Sequence, residues 1–163
     1  MTGIAGTEKQ LKFQKPDQLL IEANQYKIDK HVRMPVTNLA KPEGSLKIRE
    51  IDEKLVSDIA LAIQKTGGIG DSIPACVVIF GEDVNNINIH AFITKVENKE
   101  KPKPILIGGG HQCAAIEKVL ASNPDDLIKA DCEKGTHCIF YVFPTRNSHF
   151  ESLARKVGKK NSY

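Results

Sequence analysis

The stretch Ile105-Leu106-Ile107-Gly108-Gly109-Gly110-His111-Gln112-Cys113-Ala114-Ala115 does most to limit what this chain can become. Three apolar residues deliver the backbone into three glycines, and AAIEKVLA continues with good helix formers. The pattern predicts a strand, a glycine turn and a helix. Glycines at such a junction let a ligand approach the backbone, and positive φ angles there can aim several N–H groups into one concavity. The helix N-terminus behind them adds partial positive charge, so a phosphate or other anion is favoured. Gly108, Gly109 and Gly110, with donors from His111 and Gln112, are therefore the expected anion-binding residues. The alternative use of the same glycines is a tight turn that packs strand against helix. The loop has neither the Lys-Ser/Thr of a Walker loop nor the spacing of G-x-G-x-x-G.

The flanking sequence predicts an α/β fold, a single compact domain with a small mixed sheet and flanking helices. Asp52 is a plausible N-cap for EKLVSDIALAIQKT, whose Val56, Ile59, Ala60 and Ile63 share a helix stripe that Gly67 and Gly68 end. IPACVVIF, from Ile73 to Phe80, is a continuous apolar run suited to a strand buried on both faces. His31 to Pro35 reads as a short extended segment, Leu46 to Ile51 as a half-buried strand, and Ile87 to Val96 as an alternating strand beside Ile73–Phe80. A further short element begins at Leu127, Cys138 to Phe143 is the last strand, and Ser148 to Lys160 forms a basic helix. Residues 1–30 lack a sustained period and are expected to be an N-terminal arm, ahead of a domain over 31–145 and a basic segment over 146–163. The packed set should include Val77, Val78, Ile79, Ile105, Ile107, Ile139 and Tyr141 on strands, with Ile59, Ile63, Ile116 and Leu120 packed on them.

In 163 residues there is room for one ordinary domain. No apolar run approaches the roughly 18 residues that cross a bilayer, and the N-terminus lacks the apolar stretch of a signal peptide. An intracellular protein, cytoplasmic or nuclear and without a membrane partner, is the expectation. The four cysteines are then expected as thiols. Cys132, His137 and Cys138 are possible metal ligands, but His137 and Cys138 should point to opposite faces of a strand, so no metal site is assigned. The net charge of +3 is unevenly spread. Residues 146–163 carry five basic side chains against Glu151, leaving 18 basic and 19 acidic side chains in the rest. Arg155, Lys156, Lys159 and Lys160 are accordingly the expected contacts to nucleic-acid phosphates, DNA included.

From His31 to Val142, roughly two thirds of the chain, the order of parts resembles the ParB/sulfiredoxin superfamily. The parts are KIREID, EKLVSDIALAIQ, SIPACVVIF and ILIGGGHQCAAIEKV. Against the sulfiredoxin pattern Phe-Gly-Gly-Cys-His-Arg-Tyr-Ala-Ala, His111 matches the histidine used near nucleotide phosphates. Gly110 stands where that branch has its catalytic cysteine, and Gln112 where it has an arginine. Leu55, Asp58 and Ala62 fall where its phosphate-contacting helix carries lysine and hydroxyls. The ParB pattern Gly-Glu-Arg-Arg-x-Arg-Ala-Ala lies over Gly108 to Ala115 without its arginines. FESLARKVGKKNSY is similar to the helix that leads to the Asn-containing second phosphate box of ParB-like proteins, with Asn161 near its end, as in a piece of a longer parent.

The resemblance implies a ParB-like nucleotide-binding domain that takes a nucleotide triphosphate, ATP or CTP, with Mg2+. It is associated with nucleic acid and can form a homodimer. Hydrolysis would enlist Glu50 and Asp52 as acids or bases beside His111, although charged residues at such a junction are more often caps. The alternatives are a sulfiredoxin-like ATP-dependent oxidoreductase, opposed by Gly110, and a non-catalytic DNA- or protein-binding domain of the same fold.

Overall fold

The computed structural model describes residues 17–70 and 74–160. Among them are six α-helices and one four-stranded mixed sheet. The helices are α1 (Gln18–Asn24), α2 (Glu53–Thr66), α3 (Ile89–Glu97), α4 (Gly110–Ala121), α5 (Asp126–Lys134) and α6 (Ser148–Lys160). The strands are β1 (Val32–Met34), β2 (Ala75–Phe80), β3 (Ile105–Gly108) and β4 (Thr136–Phe143), in the order β1-β4-β2-β3. β2 and β4 are parallel, while β1 and β3 flank them antiparallel.

Alternation along the strands builds two cores. Val77, Ile79, Leu106, Cys138, Phe140 and Val142 face one way and pack with α2, α3, α4 and α5. Cys76, Val78, Ile107, Tyr141 and Phe143 face the other way and pack with α1 and α6. Helices cover both faces, which is why β2 reads as an unbroken apolar run. The eleven residues expected on strands and in the helices against them stand there: Ile63 and Ile116 are buried, and Ile59 and Leu120 pack half-buried on the core.

On the second face, Tyr26, Phe143 and Phe150 form an aromatic triad with ring centroids 5.2–5.4 Å apart. Each such pair contributes about 0.5–1.5 kcal/mol beyond its buried area, which seats α6 firmly. Gly158 tightens the fit further. A Cβ there would meet Ile48 Cδ1 and lie 2.8 Å from the Ile107 carbonyl oxygen, so α6 rides directly on β3.

Three expectations are corrected. Residues 18–24 are not irregular: Asp17 Oδ1 accepts the N–H groups of Leu19 and Leu20 to cap α1, and its Oδ2 pairs with Lys156 of α6 at 2.7 Å. The Lys156 hydrogen bond is also the main reason the Asp17 carboxyl is held below the usual range. Residues 1–16, the rest of the expected arm, lie outside the described residues. Leu46 to Ile51 is not a strand, because Leu46 ends a 3-10 turn and Ile51 is 44% exposed. Ile87 to Val96 is not a strand either, and β3 takes its expected place beside β2. Asn88 Oδ1 accepts the Ala91 N–H, and Ile89, Phe92 and Val96 bury one helical face.

The outer edge of β3 is bridged at its start by Ala40. Ala40 N–H donates to the Pro104 carbonyl at 2.7 Å, and Leu106 N–H donates to the Ala40 carbonyl at 2.9 Å.

Candidate functional site at the glycine loop

β3 ends at Gly108, which pairs with Cys76 at the start of β2. Gly109 then turns the chain at φ +87°, and α4 begins at Gly110. A Cβ at Gly109 would sit 3.0 Å from Ala75 Cβ and 3.1 Å from Ala75 Cα, so backbone conformation and close approach both require glycine. Gly110 differs. A Cβ there would meet only Ile51 Cδ1, at 3.7 Å, so packing places no demand on that glycine.

Three contacts fix how α4 lies on α2. His111 Nε2 accepts the Asp52 backbone N–H at 2.9 Å, Lys118 Nζ donates to Ser57 Oγ at 2.7 Å, and Gln64 Nε2 donates to Ser122 Oγ at 3.0 Å. Residue numbers rise together along both helices, so the two run parallel and start at the same end. Both N-terminal partial positive charges therefore collect beside the glycine loop. Asp52 already answers that of α2, since its Oδ1 accepts from Lys54 and Leu55 N–H. Gly109 brings α4 no capping side chain.

The structure sorts the expected residues. Gly108, Gly109, Gly110 and His111 come together with Asp52. Because His111 Nε2 accepts a hydrogen bond, the neutral ring carries its proton on Nδ1, which remains the donor. Gln112 is turned toward the sheet, where its Nε2 donates to Oγ1 of the fully buried Thr136 at 3.0 Å. Glu50 stands apart on the exposed loop before α2, 87% exposed and paired with Lys47 at 3.2 Å.

Of the four expected nucleic-acid contacts, Lys156 is engaged with Asp17, and Arg155 Nη2 donates to Ser152 Oγ at 3.0 Å. Lys159 and Lys160 are exposed at the end of α6. Gly158, just before them, touches Ile107 beside the glycine loop, so α6 brings its basic end to the edge of the sheet where α4 begins. The sequence reading missed this contact. Its signal was a glycine inside an otherwise helical pattern, which marks close backbone approach.

The cysteines are sealed off from this chemistry. Burial pushes the Cys113 and Cys138 thiols up to about 12 and Cys76 to about 11. Cys132 is raised for the same reason. Cys113, three positions past Gly110, is buried in the core, away from the surface of the glycine turn. His137 is exposed while Cys138 is buried, as their strand positions require. No group of three or more metal-ligating side chains occurs among the described residues. No helix among them is long and apolar enough to cross a membrane.

No family model, no curated protein and no solved structure matches this chain.

Proposed function

We propose that this protein is a nucleotide-binding domain whose phosphate cradle is the first turn of α4. The observation that carries the reading is the pairing of a glycine-only turn at Gly109 with an unobstructed Gly110 at the head of two parallel helices. Backbone N–H groups at Gly110 and His111 would face a phosphate oxygen, and His111 Nδ1–H would add a side-chain donor. Lys159 and Lys160 supply positive charge at the same edge of the sheet and would serve the outer phosphates of ATP or CTP, with Mg2+ carried in by the nucleotide.

The reading is of binding without turnover. Asp52 spends its Oδ1 on capping α2, and Glu50 is in solvent beside Lys47, which favours structural roles for both over that of a general base. The oxidoreductase alternative needs a nucleophilic thiol where the chain has Gly110. The likeness to ParB-like and sulfiredoxin-like domains supports the choice of nucleotide and belongs to this proposal.

Calorimetric titration of ATP, ADP, CTP and GTP, with and without Mg2+, tests it. Saturable binding of at least one triphosphate, abolished by Gly110→Val in a protein that still melts cooperatively, is the expected result. Absence of binding by every nucleotide would overturn the proposal and leave the fold to protein or nucleic-acid partners.

A further inference from the structure

A cleft of about 430 Å3 opens between the connection from α1 to β1 and the turn that leads into α3, and none of its lining residues belongs to the glycine loop. That volume is within the range of small-molecule sites. One wall is the connection from α1 to β1. It is fastened to β4 by Ile28 N–H donating to the Phe140 carbonyl and by Val142 N–H donating to the Tyr26 carbonyl, both at 2.8 Å. The other wall is the turn from Val84 into α3, held where Asn86 and Ile87 N–H donate to the Asp83 carbonyl. Both walls are tied down by backbone hydrogen bonds, so the cleft is preformed.

The titratable residues lining the cleft are Lys27, Lys30 and His90, and no carboxylate joins them. None of these three makes an ion pair among the described residues, so the positive charge that the cleft gathers is not answered from within its lining. Asp29, between the two lysines in sequence, does not line the cleft. Asp83 is outside it as well, and its carboxylate accepts from the Asn85 N–H and Asn86 Nδ2. Two unpaired ammonium groups and an imidazole exceed what a single carboxylate needs and match a dianionic head. Ile28, Val32 and Ile87 give the same cleft an apolar floor.

We propose that this cleft binds a small phosphate monoester. Lys27, Lys30 and His90 hold the phosphate, and a compact apolar body lies on Ile28, Val32 and Ile87. Asn88 spends its Oδ1 on the Ala91 N–H, leaving its amide NH2 to donate to the ester. The site is separate from the glycine loop and does not depend on the nucleotide reading.

Amide chemical shifts of the full chain, titrated with phenyl phosphate, inorganic phosphate and benzyl alcohol at low salt, test the assignment. The expected result is saturable shifts at residues 27–32 and 84–90 with phenyl phosphate, weaker ones with inorganic phosphate and none with benzyl alcohol. Lys27→Met with Lys30→Met should weaken phenyl phosphate at least tenfold. Should that variant lose its native spectrum, Lys30→Met with His90→Gln, both at exposed positions, replaces it with the same expectation. Shifts confined to Gly109–His111 overturn this site while leaving the glycine loop standing. Unchanged affinity in the variants, equal shifts with benzyl alcohol, or no saturable shift also overturn it.

Discussion

His111 and Asp52 are joined across two helices by a single bond, the Asp52 N–H donating to His111 Nε2 at 2.9 Å. It ties the first turn of α4 to the N-cap of α2. His111→Ala removes the acceptor at a half-buried site and should cost about 0.5–1.5 kcal/mol in denaturant unfolding. A nucleotide that uses Nδ1–H should lose about 1–3 kcal/mol of affinity by calorimetry in the same variant. Equal affinity with reduced stability would make His111 purely structural.

The neighbouring glycines should part company. Gly109→Ala places a Cβ against Ala75 at φ +87° and should destabilise by at least about 1–2 kcal/mol. Gly110→Ala makes only an ordinary contact with Ile51 on a helix and should be neutral or stabilising by up to about 1 kcal/mol. Thermal melts of the two variants check the contrast. Gly110→Val, which adds bulk on the first turn of α4, should affect nucleotide binding far more than melting if the cradle is there.

Asp131 links three parts of the chain. Its Oδ2 accepts the Ile69 N–H at 2.7 Å, and its Oδ1 and backbone carbonyl both accept from Arg33 Nη2 at 2.8 Å. The Ile69 bond, followed by Arg33 against the cost of burial, holds the carboxyl below its ordinary value. A folded pKa below the unfolded one means the contribution is complete above the ordinary carboxylate range and is lost as pH falls through the folded value. Asp131→Asn should therefore lower stability at pH 7 by about 1 kcal/mol, allowing for partial solvent screening. The gap from wild type should close as acid is added, as urea midpoints measured across pH would show.

The thiols should be silent in the native protein. All four cysteines are buried and have raised pKa values, so a thiol reagent at neutral pH should label none on the timescale of minutes and all four in denaturant. Rapid native labelling of one cysteine would mean that its part of the core opens.

Nucleic-acid affinity, if the basic end of α6 provides it, should be weak and salt-sensitive. Lys159→Ala with Lys160→Ala should reduce the slope of log K against log salt by about 2, near one unit per phosphate contact. Lys156→Ala should act mainly through stability, because that ammonium holds Asp17. Filter binding over a salt series separates the two effects.

Much of the fold was legible because its punctuation was unambiguous. β2 is an apolar run between polar turns, and β3 runs into glycine and then helix formers. Residues 87–96 were illegible for a physical reason: Ile87, Ile89, Ala91 and Ile93 keep a period of two, while Ile89, Phe92 and Val96 keep the period of a helix. The capping oxygen of Asn88 decides between them. At the candidate site the glycines and His111 could be read locally. The parallel seating of α4 on α2 and the turning of Gln112 toward Thr136 could not, since both depend on partners far away in sequence.

The hydrogen bonds that Ala40 makes along β3 carry a consequence for how anything can recognise this protein. A sheet flank with free N–H and C=O groups invites another chain to add a strand, whatever its side chains. Ala40 fills that position on one flank, and on the other β1 offers only three residues. Among the described residues, then, the sheet leaves only short stretches of edge for another chain to extend, and side-chain chemistry on the exposed helices carries more of any recognition.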